Sequence, residues 1–171
     1  WTFFTIEKFD WSEKLVGYSL GFIGLLAAIV QGGLIRVIIP KLGNIKSVYF
    51  GMIFYILGLS LFAFAEEEWM VFAFAIPLSL GGISGPALQG IMTNKIPDDE
   101  QGEFQGGMTS LVSLTAIIGP LLMTNLFSYF TSENSFYYFP GAPFMVGAII
   151  SFFGLIIAVR FLSGSRGGSS I

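Results

Sequence analysis

The sequence predicts an all-α transmembrane protein of five spanning helices, and three observations carry that prediction. The 171 residues are 54% hydrophobic and only 11% charged, too apolar for a water-soluble domain of ordinary composition. The apolar residues fall into five runs long enough to cross a bilayer as helices, about 15–39, 47–65, 69–92, 102–130 and 139–162, separated by short polar turns. Nineteen Phe and twenty-two Gly fit helices that face lipid with aromatics and approach one another through small residues. The composition also excludes chemistries. Without Cys or His, disulfides, thiol catalysis, imidazole bases and zinc-type ligand sets are ruled out within these residues, and no metal or cofactor site is expected. The eight Lys and Arg are scattered rather than gathered into a stripe, so no nucleic acid is expected as a partner.

The elements follow in chain order. Trp1 to Ile6 reads as the end of a preceding span, and the chain as a fragment of a longer protein. The polar segment Glu7 to Lys14 follows it, with Trp1 and Trp11 suited to the membrane–water interface. The first complete span, 15–39, would be roughly 37 Å long; Ser12 or Asp10 is expected to cap it, and Pro40 with Gly43 to end it. The turn Lys41 to Lys46 leads into the span 47–65, and Glu66-Glu67-Glu68 into 69–92, which Pro77 and Pro86 are expected to kink. Asp98 and Gln101 have capping-box spacing at the start of the fourth helix, and Gly119-Pro120 predicts a kink within it. After 139–162 a Gly/Ser-rich tail, 163–171, is expected to be flexible.

Charge orients the set. Six of the eight basic residues, Arg36, Lys41, Lys46, Lys95, Arg160 and Arg166, fall on one side. The positive-inside rule makes that side cytoplasmic, with the first residues outside and the C-terminus inside.

Residues able to carry function are few. Gln31 and Gln89 stand in apolar helices, where an unpaired amide is costly. Two readings stay open for them: hydrogen bonding between helices, or contact with a transported substrate. Asn125, Thr124, Thr115, Ser113, Thr109 and Ser84 are weaker candidates, because short polar side chains can bond back to their own helix. Small residues four apart, Gly17 with Gly21, Gly81 with Gly85 and Gly102 with Gly106, predict close helix packing or, in a moving transporter, sliding faces. Gly82-Ile83-Ser84-Gly85 matches the nucleophile motif of intramembrane serine proteases, but no base is at hand for the serine, so no enzyme is expected. No Asp, Glu, Lys or His lies deep in a span, and Arg36 is expected to snorkel to the surface. A proton-coupled function therefore needs a titratable group outside these residues.

Four pieces of the chain together resemble the C-terminal half of tetracycline-efflux-type transporters, a drug:proton antiporter branch of the major facilitator superfamily. They are Phe9-Asp10-Trp11-Ser12 leading to Val16 through Leu20; Gly24-Leu25-Leu26 with Gln31; Gly81-Gly82-Ile83 with Pro86-Ala87-Leu88-Gln89; and Gln101-Gly102 through Gln105-Gly106 to Ile118-Gly119-Pro120-Leu121-Leu122. The resemblance implies about twelve helices in two halves, with substrate between the halves near mid-membrane. The five spans would then be the eighth to twelfth helices and Trp1–Ile6 the end of the seventh. It implies a small-molecule substrate, protons as the driving ion, the lipid bilayer and an N-terminal half as partners, and no cofactor. The Lys41-to-Lys46 turn, with Gly43, resembles a degenerate copy of the superfamily's basic Gly-rich loop, in which Arg36 stands in place of its first Gly. Gln31 matches a family glutamine associated with substrate handling. Two positions depart from tetracycline exporters: Ala27 where they carry His, and Tyr55 where they carry a membrane-embedded Asp. These speak against tetracycline with its metal ion as substrate.

The expected function is thus secondary active efflux of a small amphipathic compound. Gln31, Tyr55, Gln89, Ser113 and Asn125 would line the route, while Gly81, Gly85, Gly102, Gly106, Gly119, Pro86 and Pro120 would serve packing and bends. Import of a nutrient on the same fold is one alternative, and a non-transporting membrane scaffold is another.

Overall fold

The computed structural model describes residues 1–132 and 135–164. They form a short helix α1 (Thr2–Phe9) and five longer ones, with no strand among the described residues. These five are α2 (Glu13–Leu42), α3 (Asn44–Ala63), α4 (Glu68–Thr93), α5 (Gln101–Thr131) and α6 (Ala142–Gly164). Each of α2 to α6 is long and apolar enough to cross a membrane. The polar backbone of an apolar run in lipid has no water to bond with, so helix is the conformation that satisfies it along each run.

The boundaries have local causes. Ser12 caps α2, its hydroxyl accepting from the Leu15 N–H at 3.4 Å, and Glu13 in the first turn complements the helix dipole. Pro40 does not end α2, which runs on to Leu42; Gly43, at φ +77°, ends it by taking a conformation that L side chains rarely adopt. The Asp98–Gln101 pair forms no capping box. Gln101 Nε2 donates to the Asp98 carboxylate at 3.0 Å, and Glu100 is the residue at the α5 N-cap, without a side-chain cap.

The proline-rich span α4 breaks at one place. Pro77 lies within the first segment, Glu68–Gly81, whereas the interruption falls at Gly82 and Ile83, ahead of the second segment, Ser84–Thr93. Pro86 explains the location. Its ring lacks an N–H and crowds the carbonyl four residues back, that of Gly82. The chain tightens there into bonds from Gly82 N–H to Ser79 O (3.0 Å) and Ile83 N–H to Leu80 O (3.2 Å). By contrast α5 runs unbroken through Gly119-Pro120. The last span begins at Ala142 rather than 139, and helix persists through Gly164; the remainder of the expected tail, 165–171, lies outside the described residues.

One end of the molecule gathers the α2–α3 turn and the α4–α5 loop; the other gathers α1, the α3–α4 turn and the α5–α6 connection. At the second end lies an aromatic core. Trp11, Val16, Phe62, Val71 and Ala75 are buried together, with Trp1, Phe9, Phe22, Phe72 and Phe144 packed on them. Trp11 stacks on Phe72 at 5.7 Å and Trp1 meets Phe62 edge-on at 5.2 Å, geometries worth roughly 0.5–1.5 kcal/mol each beyond area burial. Tyr138 donates to Glu7 at 3.1 Å, tying the α5–α6 connection to α1. Burial and that bond push the Tyr138 phenol above its ordinary value. Burial pulls the Lys8 ammonium down, against the opposing charge of Glu66.

Between the ends, α3 is the central post, with both segments of α4 on one side and α6 on another. Its contacts pass through glycine. A Cβ on Gly51 would stand 2.5 Å from the Ser84 backbone nitrogen, one on Gly58 2.7 Å from the Leu78 backbone, and one on Gly81 2.6 Å from the Tyr55 Cβ. A Cβ on Gly141 would collide with the Ala63 carbonyl. In contrast α5 has no buried residue.

Candidate functional site

Among the residues able to contact a solute, position along the helices sorts the candidates into three levels. Counted from the end that carries the α2–α3 turn, Gln31, Tyr55 and Ser113 lie about 16–18 Å along α2, α3 and α5, taking 1.5 Å per residue. That places them near the middle of a bilayer core about 30 Å thick. Gln89 is only one turn from the end of α4, and Asn125 lies near the opposite end of α5.

Gln31 lies in a local distortion of its helix. Val30-Gln31-Gly32-Gly33-Leu34 forms a π-turn inside α2, a wider turn that is frequent at functional positions. Val30 is buried while Gln31, Gly32 and Gly33 are exposed, so the turn is anchored on one side and presents its amide on the other. The Gln-Gly-Gly tripeptide is the one signal that could have suggested it, since paired glycines loosen a helix.

Tyr55 is 41% exposed. Its inner edge packs on Gly81, and its side chain helps line an apolar cavity of about 650 Å³ between α1, α3, α5 and α6. Leu59, Met123, Phe127 and Phe144 line it, and Thr2, Thr124 and Ser151, besides Tyr55, are its hydroxyl-bearing residues. Pro120 also lines it. Gln31, Gln89, Ser113 and Asn125 do not line this cavity.

Gln89 is engaged. Its Nε2 donates to Oε1 of Gln105 at 3.3 Å, joining the end of α4 to the start of α5. Gln105 was not expected as a site residue, although it stands in the Gln101-to-Gly106 motif. Asn125 donates back to the Leu121 carbonyl at 2.8 Å, and the Ser84 hydroxyl to the Gly81 carbonyl at 2.8 Å. For Ser84 this is the bond within its own helix that short hydroxyls favour. Ser113 is exposed on α5.

The glycines divide as well. Gly81 is a packing position, whereas a Cβ on Gly85, Gly102, Gly106 or Gly119 would meet nothing within 4 Å. The same holds for Gly17, Gly21, Gly24, Gly32 and Gly33 of α2. Of the turn residues, Gly43 and Lys46 line a second cleft at the α2–α3 turn, while Arg36 and Lys41 lie exposed on the last turns of α2.

The sequence profile of the Major Facilitator Superfamily matches residues 1–170. Among curated proteins the chain is similar to the class C tetracycline resistance protein of Escherichia coli, 35% identical over 150 residues, which cover 88% of this chain and 37% of that protein. It is 41% identical to the class E tetracycline resistance protein of Escherichia coli over 128 residues, 75% of this chain and 32% of the relative. It is also 27% identical to Hippocampus abundant transcript-like protein 1 of Bos taurus over 171 residues, 92% of this chain and 34% of the relative. The chain thus spans about a third of the length of the relatives it matches. No solved structure matches it at a significant level.

Proposed function

The chain belongs to the major facilitator superfamily, and from that premise we propose that it forms the C-terminal half of a secondary active transporter that exports a small amphipathic compound, driven by protons moving the opposite way. The observation that carries this reading is the π-turn that presents Gln31 at mid-span depth, level with Tyr55 on α3 and Ser113 on α5. A wide turn with an exposed amide in an otherwise apolar helix is expected where the helix lines a wet path. Similarity to tetracycline resistance proteins favours export, and the amide, phenol and hydroxyl suit a substrate with both polar and apolar faces.

In this proposal the route runs along the exposed faces of α2 and α5. Gln31 and Ser113 meet the substrate by hydrogen bonds at the middle level, Tyr55 stands at the same level in the neighbouring apolar cavity, and Gln89 and Asn125 mark the route's two ends. The open glycine faces of α2 and α5 supply surfaces on which an N-terminal half packs and slides. Protons are handled by an acid outside this chain, because the middle level holds only neutral side chains. The α2–α3 turn faces the cytoplasm, in keeping with the side on which most Lys and Arg fall, and the bilayer is the plasma membrane.

The test is transport by the longer protein in proteoliposomes with an imposed proton gradient, using tetracycline and a fluorescent amphipathic dye. Replacing Gln31 with Ala removes one substrate hydrogen bond, so efflux at subsaturating substrate should fall about tenfold, the equivalent of roughly 1.4 kcal/mol, at unchanged protein level. If Gln31→Ala leaves efflux intact, the substrate role is wrong; if neither compound moves with the gradient in the parent protein, the scaffold reading takes its place.

A further inference from the structure

The last apolar run starts before its helix does. From Ser135 to Val159 no residue carries a charge, yet α6 begins only at Ala142. The stretch Ser135-Phe136-Tyr137-Tyr138-Phe139-Pro140-Gly141 is thus as free of charge as a spanning helix without being one. Phe136 is fully exposed, and Tyr137 and Tyr138 are exposed beside it. The patch extends to the neighbouring helix end: the Tyr137 and Phe139 rings lie 6.2 Å apart, and Phe139 meets Phe64, exposed just past α3, at 5.9 Å. Exposed apolar surface gathered in this way marks an interaction surface.

Arg160 sets the depth at which the patch lies. It is the one charged residue of α6, is exposed, and stands near the helix end, where a basic side chain reaches for the headgroups. Ala142 is about 27 Å from it along the helix at 1.5 Å per residue, close to the roughly 30 Å of a hydrocarbon core. With Arg160 at one surface, residues 135–141 fall at the other, where hydrocarbon gives way to headgroups. Tyrosine suits that layer because its ring is apolar and its hydroxyl polar, and the Tyr138 hydroxyl donates to the Glu7 carboxylate at 3.1 Å. Irregular backbone has no place in the hydrocarbon itself, and at the boundary this turn meets part of its own needs. The Ser135 hydroxyl donates to the Tyr137 carbonyl at 2.8 Å and accepts from the Tyr137 N–H at 3.3 Å, and the Phe139 N–H donates to the Phe130 carbonyl at 3.1 Å.

We propose that the α5–α6 connection is an aromatic anchor lying in the boundary between headgroups and acyl chains, with Phe136 and Tyr137 immersed and Tyr138 tying α1 to it through Glu7. Lipid is the occupant of the patch because its depth coincides with the bilayer boundary and because it runs, without an intervening charge, into the exposed apolar residues of α6, among them Ile149, Phe152 and Phe153. Such an anchor fixes the depth at which the ends of α1, α5 and α6 sit. It depends neither on the direction of transport nor on the side of the membrane at which this end lies.

The experiment places a nitroxide at Phe136→Cys or Tyr137→Cys in the longer protein, freed of any other thiol and reconstituted in liposomes. Collision rates with oxygen, which concentrates in hydrocarbon, and with a water-soluble nickel chelate report the depth of the label. Glu67→Cys, in the exposed α3–α4 turn at the same end, supplies the water reference, and Phe153→Cys, exposed at mid-span of α6, the hydrocarbon reference. Both anchor positions should read roughly 5–10 Å below the phosphates, the depth of interfacial segments. Nickel contact equal to that of Glu67→Cys would show a turn projecting into water and overturn the proposal. Protection from both reagents would show the patch covered by protein, a second copy or the rest of the longer chain, and would overturn it as well.

Discussion

The two halves of this chain's glycine content behave in opposite ways. In the block formed by α3, α4 and α6, Gly51, Gly58, Gly81 and Gly141 each sit against a neighbouring backbone or Cβ with no room for a methyl group. On α2 and α5, nine glycines face open space. The same division applies to polarity, since Gln31, Ser113 and Asn125 all stand on the open helices. The difference teaches that glycine in an apolar helix has two uses: it brings two backbones together within this chain, or it leaves a face clear for something the chain does not itself supply. Spacing of four along the sequence does not distinguish them, but the neighbour does.

The largest effect should come from substituting across that division. Gly58→Ala drives a methyl into the Leu78 backbone and should destabilise the protein by about 2–3 kcal/mol, as overpacking of a filled core does. Gly106→Ala on α5, which has open space within this chain and meets only the sliding face of the proposed N-terminal half, should cost clearly less than Gly58→Ala. Unfolding of the longer protein followed by intrinsic fluorescence in detergent compares the two. Equal losses would mean that the α5 face is as tightly packed as α3, and the division would fail.

A smaller effect sharpens the boundary between the regions. The Gln89–Gln105 bond joins the packed block to the open helix α5, and interhelical bonds of this kind are worth about 0.6 kcal/mol. A double-mutant cycle with Gln89→Leu and Gln105→Leu should therefore return a coupling energy of about that size, measured by the same unfolding. A coupling near zero would leave α5 joined to α4 by the loop alone.

Much of this was legible in the sequence, for physical reasons. Long apolar runs between polar turns specify helices because lipid leaves the backbone no other partner, and Ser12 marks the start of α2 by a capping bond that needs only one residue type at one place. The broken segment after Gly81 was legible from Gly82 and Pro86, although the break falls at Gly82 rather than at the proline, since a proline disturbs the carbonyl four residues behind it. Other features depend on the neighbour and could not be read. Gln89 carries the same signal whether it meets a solute or Gln105, and Tyr55 gives no hint that Gly81 lies beneath it. Gly119-Pro120 stands within α5, which continues as helix through it, and nothing in the sequence shows that Pro120 borders the apolar cavity.

The central claim is that the middle level of α2 and α5, at Gln31 and Ser113, faces water and substrate rather than lipid. This chain has no cysteine, so Gln31→Cys or Ser113→Cys, in the longer protein freed of any other thiol, gives a single reporter. Its reaction with a hydrophilic, membrane-impermeant maleimide in proteoliposomes reads the environment directly. The account predicts labelling at both positions, slowed by transported substrate, and none at Leu121→Cys on the apolar surface of α5. Labelling of Gln31→Cys and Ser113→Cys by a lipid-soluble maleimide alone would contradict it.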